Sequence, residues 1–249
     1  MKINSIERCL SIVDLLSRNQ NGMKLSEISG ELGLNNSTTH HILQTLLPHD
    51  YVGQDPETKK YSLGFRFLEI SRRILDNIDI RKIADRHLHT LHDECREAVH
   101  LAVLRNGKVI YIDKIDTNVQ LSLATYVGFA TDAHSAAGGK VLLSDLPEDR
   151  IRSLYGNGSL KIYGKSTISE IDQLLKELKN VKQQGYAIDD EEYYEGIRCI
   201  AAPIRAGGKT IASISITGSI FSVTTDRIES ELINQVMETG KRISEELKW

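Results

Sequence analysis

The chain has 249 residues, of which 40% are hydrophobic and 26% are charged, and its formal net charge is −3. This composition excludes a disordered chain, and the length is sufficient for two compact domains. The sequence shows no signal peptide, no apolar run near the roughly 20 residues of a membrane span and no Cys-x-x-Cys spacing, so we expect a reduced, cytoplasmic protein without a disulfide framework.

Three amphipathic helices are predicted within the first 47 residues. The apolar stripe of the first helix is Ile6, Cys9, Leu10, Val13 and Leu16. The stripe of the second is Leu25, Ile28 and Leu32. Gly33 can end this helix because glycine readily takes the left-handed conformation. Asn35 or Asn36 then caps a third helix. The inward face of the third helix is expected to be Thr39, Ile42, Leu43, Leu46 and Leu47.

The outward face of the third helix is polar and carries no acid. No Asp or Glu occurs between Glu31 and Asp50. Short polar side chains can bond to base edges in a DNA major groove, where an acid would repel phosphate. The candidate DNA-contacting residues of this segment are Asn36, Ser37, Thr38, His40, His41, Gln44 and Thr45. These features predict a helix-turn-helix, although a three-helix bundle that binds no nucleic acid has the same periodicity.

A short β-hairpin is predicted after Pro48, formed by residues 51–54 and 60–63. It is interpreted as a wing whose Lys59 and Lys60 contact the phosphate backbone. Residues 1–77 contain nine Lys or Arg and nine Asp or Glu. Because this balance leaves no general attraction to DNA, useful affinity requires a second copy of the domain.

Two further helical patterns follow the wing. Residues 65–75 predict a linker helix, and the next pattern begins at Ile80. The expected division is a DNA-binding domain at 1–64, a linker helix at 65–78 and a second domain at 79–249. The nearby histidines are His87, His89, His92 and His100. They lack the spacing of a metal motif, so we expect packed or solvated side chains, no metal and no cofactor.

The second domain is predicted to be α+β with an antiparallel sheet. A hairpin of residues 99–105 and 108–115 turns at Asn106-Gly107, a pair suited to a type I′ turn. The further expected strands are 120–126, 197–204 and 210–217. The expected helices are 136–144, 168–184 and 225–247.

Three features of this domain are candidates for ligand binding, and an acidic run precedes the last of them. The small residues around Ala137 and Gly138 form a helix start that an anion can approach, or one that simply packs on the sheet. Polar Ser213, Ser215 and Thr217 share one strand face, a pattern that usually faces solvent. Cys199 lies on a strand and is more often a small core residue than a reactive thiol. The run at 189–192 is Asp-Asp-Glu-Glu, whose plain interpretation is a solvated loop.

The chain resembles the isocitrate-lyase-regulator (IclR) family of bacterial transcription factors over essentially its whole length. The resemblance rests on residues 5–8 (Ser-Ile-Glu-Arg), 36–40 (Asn-Ser-Thr-Thr-His) and 61–64 (Tyr-Ser-Leu-Gly). It also rests on residues 189–204, Asp-Asp-Glu-Glu-Tyr-Tyr-Glu-Gly-Ile-Arg-Cys-Ile-Ala-Ala-Pro-Ile, and on Ser-Ile-Ser-Ile at 213–216. It implies a winged helix-turn-helix, a linker helix and a GAF-like effector domain that work as a homodimer or dimer of dimers. Family members commonly sense small organic acids or aromatic metabolites.

The resemblance also implies an effector pocket. The residues carried over are Ala137, Gly138, Asp189, Ile197, Cys199, Ser215 and Thr217. Three positions depart from the usual pattern. His41 stands where the family usually has Arg, Thr217 stands where Ser is frequent, and residues 131–134 lack a common Pro.

The expected function is a ligand-responsive transcriptional regulator, favoured as a repressor, that binds pseudo-palindromic operator DNA and senses a small organic or sugar acid. It would control catabolic genes. One rival is an enzyme with Cys199 as nucleophile, His134 as base and Asp189 orienting the imidazole. Another rival is an architectural DNA binder that senses nothing, which would leave the second domain without a task.

Overall fold

A computed structural model describes residues 4–117, 125–156 and 159–247. The chain divides into two compact units, Met1–Asn77 and Ile78–Trp249. Within the described ranges, no helix is both long and apolar enough to cross a membrane.

The described part of the N-terminal unit, from residue 4 onward, contains four α-helices, a short 3₁₀ turn at Leu47–His49 and one hairpin. The helices are α1 (Asn4–Ser17), α2 (Leu25–Glu31), α3 (Asn36–Leu46) and α4 (Arg66–Asp76). The strands are β1 (Val52–Gln54) and β2 (Tyr61–Leu63), which pair antiparallel as the predicted wing.

Local signals set the start of α3. Gly33 has φ +62° and carries the chain out of α2. Asn35 is the cap, and its Oδ1 accepts a hydrogen bond from Thr38 N at 2.7 Å. Thr39 and Leu43 are buried in the small core of this unit, so the inward face of α3 is confirmed.

The predicted stripe of α1 is wrong in part. Ile12 and Leu16 are buried, whereas Ile6 and Leu10 are 54% and 58% exposed. The helix carries apolar residues on two neighbouring faces, and periodicity alone does not tell which of them meets the core.

The C-terminal unit alternates helices with an antiparallel sheet. Its strands are β3 (Ala98–Arg105), β4 (Lys108–Ile115), β5 (Ala130–Asp132), β6 (Ala187–Asp190), β7 (Ile197–Ala206) and β8 (Lys209–Ser219). Its helices are α5 (Asp79–Cys95), α6 (Ala137–Ser144), α7 (Glu148–Tyr155), α8 (Ile171–Gln184), α9 (Thr225–Arg227) and α10 (Ile233–Glu246).

The sheet has the order β5-β4-β3-β8-β7-β6, and every neighbouring pair is antiparallel. Asn106 and Gly107 have φ 51° and 77°, as the predicted type I′ turn between β3 and β4 requires. One face packs on α5 and α10 through residues such as Ile200, Ile214 and Ile216. The opposite face packs on α6, with Ala201 among the buried contacts.

Several expectations for this unit are wrong. The acidic run is no solvated loop, because Asp189 and Asp190 belong to edge strand β6 and Asp189 is only 4% exposed. The polar face of β8 does not meet solvent, since Ser213, Ser215 and Thr217 are 1%, 6% and 6% exposed. A strand of buried small polar residues looks like a solvated strand until the covering helix is known.

Other boundaries also differ. The expected helix at 225–247 contains a π-helical turn, Ile228–Leu232, between α9 and α10. Helix α7 and strand β5 were not predicted. The strand expected at 120–126 lies mostly outside the described residues, and Thr125 and Tyr126 are not in a strand.

Helix α6 is buried along its whole length, and two glycines permit this. A Cβ at Gly139 would lie 2.1 Å from the carbonyl oxygen of Ala133, and at Gly138 it would lie 2.8 Å from Ser213 Oγ. The contact at Gly139 is with backbone, whereas the contact at Gly138 is with a small side chain that can rotate.

We therefore predict that Gly139→Ala destabilises the C-terminal unit by roughly 1–3 kcal/mol, because an overpacked site forces the backbone to shift. Gly138→Ala is the matched control and should cost less, with the loss reduced further when Ser213→Ala is added. Chemical denaturation of the purified chain measures both. Equal losses for the two glycine variants would contradict this account of α6 packing.

Candidate functional site

The exposed face of α3 is the first candidate site. The side chains of Asn36, Ser37, His40, His41, Gln44 and Thr45 are exposed, and Thr38 is half-buried. Thr45 Oγ1 donates to the His41 carbonyl at 2.8 Å, which leaves its lone pairs free to accept. His40 and His41 lie edge to face, with ring centroids 6.1 Å apart. The face therefore presents donors and acceptors without a negative charge.

The wing presents its two lysines differently. Lys59 is exposed and has φ +58°, in a turn where Asp55 Oδ1 accepts from Thr58 N at 2.6 Å. Lys60 is half-buried, and its Nζ lies 3.5 Å from the Asn21 carbonyl. The ammonium group of Lys59 is therefore more accessible to a ligand than that of Lys60.

A small enclosed cavity in the C-terminal unit is the second candidate site. Its lining residues are His100, Tyr111, Thr125, Phe129, Thr131, Ala136, Asp189, Tyr193, Tyr194, Ile197, Cys199 and Thr217. The cavity volume is about 30 Å³. A water needs roughly 10–15 Å³ by this measure, so this conformation has room for about two waters. A larger ligand requires the walls to move.

Strand register brings three of the polar lining residues together. Asp189 on β6 stands opposite Cys199 on β7, which stands opposite Thr217 on β8. Directly opposed residues of antiparallel strands share a face, so these three side chains form a row across the sheet. The row lies on the same face as the buried hydroxyls of β8.

His100 on β3 stands opposite Ser215 and is diagonally adjacent to Thr217. Its Nδ1 lies 3.4 Å from Thr217 Oγ1, and its Nε2 lies 2.9 Å from Thr125 Oγ1. Burial lowers the pKa of His100 to about 3, and nearby Lys114 acts in the same direction. The ring is therefore neutral at physiological pH and serves as a hydrogen-bonding group without charge.

Aromatic rings form another wall of the cavity, and the ring of Tyr111 lies beside that of His100 with centroids 4.7 Å apart. Tyr111 and Phe129 are stacked with centroids 6.0 Å apart, and Tyr193 meets Phe129 edge to face at 6.4 Å. Tyr193 also contacts Tyr194 at 4.5 Å. This wall suits the flat or apolar part of a ligand, while the row on the sheet suits its oxygens.

Asp189 has an unusual electrostatic setting. Its Oδ1 accepts a hydrogen bond from Glu192 N at 2.8 Å. Burial, followed by the neighbouring Glu192 carboxylate, raises the pKa of Asp189 to about 7. Buried Lys140 on α6 is engaged by Glu192, and its Nζ lies 3.8 Å from Glu177 Oε1. The Lys140 ammonium group is thus paired with two other carboxylates, those of Glu192 and Glu177, and not with Asp189.

The residues assigned to the effector pocket separate into two groups. Asp189, Ile197, Cys199 and Thr217 line the cavity. Ala137, Gly138 and Ser215 are buried beside it but are not among its lining residues, while Ala136, just before α6, is. Gly138 instead faces Ser213.

Most of the aromatic and His/Thr lining was missed from the sequence. His100 sits inside a strand that is buried on both faces, and a polar residue in such a strand is a signal that could have been used. Tyr193 and Tyr194 directly follow the acidic run. Tyr111 and Phe129 give no local signal, because only the pairing of β4 with its neighbours places them at the cavity.

The nucleophile and base of the rival enzyme hypothesis are not brought together as a catalytic pair. His134 Nε2 donates to the carbonyl of Lys161 at 2.9 Å, and its ring contacts Tyr155 and Tyr163. Burial raises the pKa of the Cys199 thiol, which favours the neutral form over the nucleophilic thiolate. Among the described residues, no group of His, Cys, Asp and Glu is arranged to hold a metal ion.

Comparison with known proteins decides the family. A model described as the bacterial transcriptional regulator IclR C-terminal domain matches residues 72–245, and the IclR helix-turn-helix domain model matches residues 5–56. The chain belongs to the IclR family. Its members are transcriptional regulators. The helix-turn-helix match and the solved IclR structure confirm the expected α+β fold with an antiparallel sheet.

Individual relatives agree over nearly the whole chain. The HTH-type transcriptional regulator XynR of Escherichia coli is 32% identical, with 98% of this chain and 97% of the relative covered. The HTH-type transcriptional repressor AllR of Salmonella typhi is 30% identical, with 96% and 88% covered. The crystal structure of Thermotoga maritima IclR superposes with a TM-score of 0.79 at 28% identity and covers 100% of both chains. The enzyme alternative finds no support among these relatives.

Proposed function

We propose that this IclR-family regulator is a repressor whose operator affinity is controlled by a small organic or sugar acid bound in the cavity of the C-terminal unit. The observation that carries the proposal is the presence of both sites in one chain. The N-terminal unit exposes an acid-free polar helix face, and the C-terminal unit contains a largely apolar cavity with a few polar groups in its lining. The similarity to AllR, a repressor, supports the direction of control.

DNA is contacted, in this proposal, by the exposed residues of α3 and by the wing. The residues assigned are Asn36, Ser37, Thr38, His40, His41, Gln44, Thr45, Lys59 and Lys60. The base edges are read by α3, whereas the wing lysines bind phosphate without reading sequence. Because an imidazole cannot form the bidentate contact that Arg makes to guanine, a guanine contact is not carried over to His41.

The effector is a small acid with hydroxyl or keto oxygens. The Asp189, Cys199, Thr217 and His100 groups supply hydrogen bonds to these oxygens, and Ile197 and the aromatic wall cover the carbon skeleton. Ala137 and Gly138 contribute through the start of α6, whose first backbone N–H groups favour a carboxylate. Ser215 supports the same face from β8.

The active species is a homodimer, alone or as a dimer of dimers, on a pseudo-palindromic site. Charge balance in residues 1–77 makes one copy a weak binder. Exposed apolar side chains in this unit give a second copy something to cover: Ile6 and Leu10 on α1, Phe65 before α4, and Leu68 and Ile74 on α4.

Control works through a shift of population. The acid favours one arrangement of the C-terminal domain (79–249), and the linker helix at 65–78 passes this preference to the DNA-binding domains (1–64). The acid shifts the equilibrium only by its difference in affinity between the two arrangements.

A screen tests the effector class and the absence of catalysis together. Thermal shift of the full chain with small carboxylic acids identifies binders, and product analysis of each mixture detects turnover. The operator is selected from a pool of random duplexes. We expect stabilisation by an acid without turnover, and an operator affinity that the same acid lowers. Turnover of any acid that is lost in Cys199→Ser would support the enzyme hypothesis instead.

Specificity should reside on α3 and not on the wing. We predict that His41→Ala and Gln44→Ala each cost roughly 1–3 kcal/mol of operator binding and relax the preference at one base pair. Lys59→Gln should weaken all sequences alike and lower the salt slope by about 1. Gln183→Ala, exposed on α8, is the control. Fluorescence anisotropy with single-base operator variants measures these effects, and a changed base preference in Lys59→Gln alone would reverse the assignment.

Effector binding should depend more on Thr217 than on Ser215. Thr217 lines the cavity and lies next to His100, so Thr217→Val should weaken acid binding by roughly 1–3 kcal/mol through loss of a buried hydrogen-bonding group. Ser215→Ala on the same strand face is the matched control and should weaken it less. Isothermal titration calorimetry measures both. The opposite order would show that the acid sits nearer the middle of β8.

A further inference from the structure

Among the described residues, the lining of the cavity contains a carboxyl group but no ammonium or guanidinium group. Asp189 is the only acidic residue among the lining residues, and none of them is Lys or Arg. A site for an organic anion usually supplies a cation or several hydrogen-bond donors. Here the one charged group at the wall has the same sign as the ligand.

The buried ammonium groups near the cavity are already engaged. Lys114 on β4 pairs with Asp116, and its Nζ donates to the Thr125 carbonyl at 2.6 Å. Lys140 Nζ contacts Glu192 Oε1 and lies 3.8 Å from Glu177 Oε1. Glu192 is buried, and its Oε2 has no hydrogen-bond partner among the described residues. Three carboxylates, with Asp189, therefore share one ammonium group. With all four groups ionised, this cluster carries an excess of negative charge in a region where charge is poorly solvated.

The remaining groups around Asp189 do not supply positive charge. Cys199 faces it across β6 and β7 as a thiol, and His100 on β3 is neutral. Tyr111 on β4 and Tyr193 and Tyr194 after β6 are phenols. Among the described residues, the Glu192 N–H is the backbone donor to the Asp189 side chain.

We propose that the acid effector binds together with one proton from solvent, which is held on Asp189. The neutral carboxyl then donates a hydrogen bond to a carboxylate or keto oxygen of the effector, and repulsion between two anions is removed. The inference rests on the proposed effector class and adds that Asp189 selects for the anion by changing its own charge.

A carboxyl group with an ordinary pKa would hold almost no proton at neutral pH. Burial changes this for Asp189. Desolvation and Glu192 raise the pKa of Asp189 to about 7 in the ligand-free protein. An anion placed beside it raises the pKa further. At neutral pH the protein is therefore poised to take up a proton when the acid binds. The affinity falls as the pH rises above 7, because the competent neutral form becomes rare.

The test uses the full chain with lactate, D-gluconate and benzoate, which stay ionised between about pH 6.5 and 8.5. Calorimetry in two buffers of different ionisation enthalpy counts the protons taken up. At about pH 8.5 we expect close to one proton per bound acid, and a Kd that weakens by up to about tenfold per pH unit above neutrality. Neither result depends on a variant.

Asp189→Asn and Asp190→Asn complete the test. The first substitution mimics the neutral carboxyl, so it should remove the proton uptake and flatten the pH dependence while retaining binding. Asp190 is exposed and paired with Arg198, so Asp190→Asn should behave as the unaltered protein.

Each outcome decides one claim. Binding of an acid with no proton uptake at about pH 8.5, or binding that strengthens as the pH rises, overturns the proton coupling but leaves the effector class intact. Failure of all three acids to bind at any pH overturns the effector class, and the coupling falls with it.

Discussion

The close packing of helix α6 on the sheet is the constraint on which the C-terminal unit depends. All eight residues of α6 are buried, and Gly139 lets it approach the backbone at Ala133. This helix converts the polar face of β8 from a surface into an interior. It also brings buried Lys140 to Glu192, which follows β6, and so fixes the loop next to Asp189.

The electrostatics of the cavity follow from this packing. A lysine that is buried needs partners, and Glu192 and Glu177 provide them. Because Lys140 is engaged in this way, Asp189 is left with a backbone N–H and a thiol neighbour. The Lys140–Glu192 ion pair and the raised pKa of Asp189 both result from the packing of α6. The cavity can therefore respond to a ligand through hydrogen bonding and protonation, without a dedicated cation.

Much of this architecture could be predicted from the sequence because its signals are local. Gly33, the Asn35 cap and the Asn106-Gly107 turn each specify a backbone conformation, and the structure confirms all three. The row of Asp189, Cys199 and Thr217 was accessible only through resemblance to a family. Its geometry depends on the register of three strands that are distant in sequence.

The remaining features depend on long-range contacts that no local pattern encodes. Burial of Ser213 and of Lys140 follows from the position of α6, and a sequence window shows only a polar residue in each case. The sequence pattern places Ile6 and Leu10 in the core, whereas the structure buries a neighbouring face of α1 and leaves these two side chains exposed. Tyr111 and Phe129 come to the cavity because neighbouring strands and turns carry them there.

The central claim is that the cavity and the DNA-binding face are coupled within one chain, and linkage tests it directly. The affinity of the identified acid is measured by calorimetry for the free protein and for the protein saturated with operator, and the operator affinity is measured with and without the acid. Reciprocity requires the two ratios to be equal. The account predicts a common ratio of roughly 5–150, such that each ligand lowers the affinity of the protein for the other. A ratio of one, with both ligands bound, would show that the two sites act independently and would contradict the account.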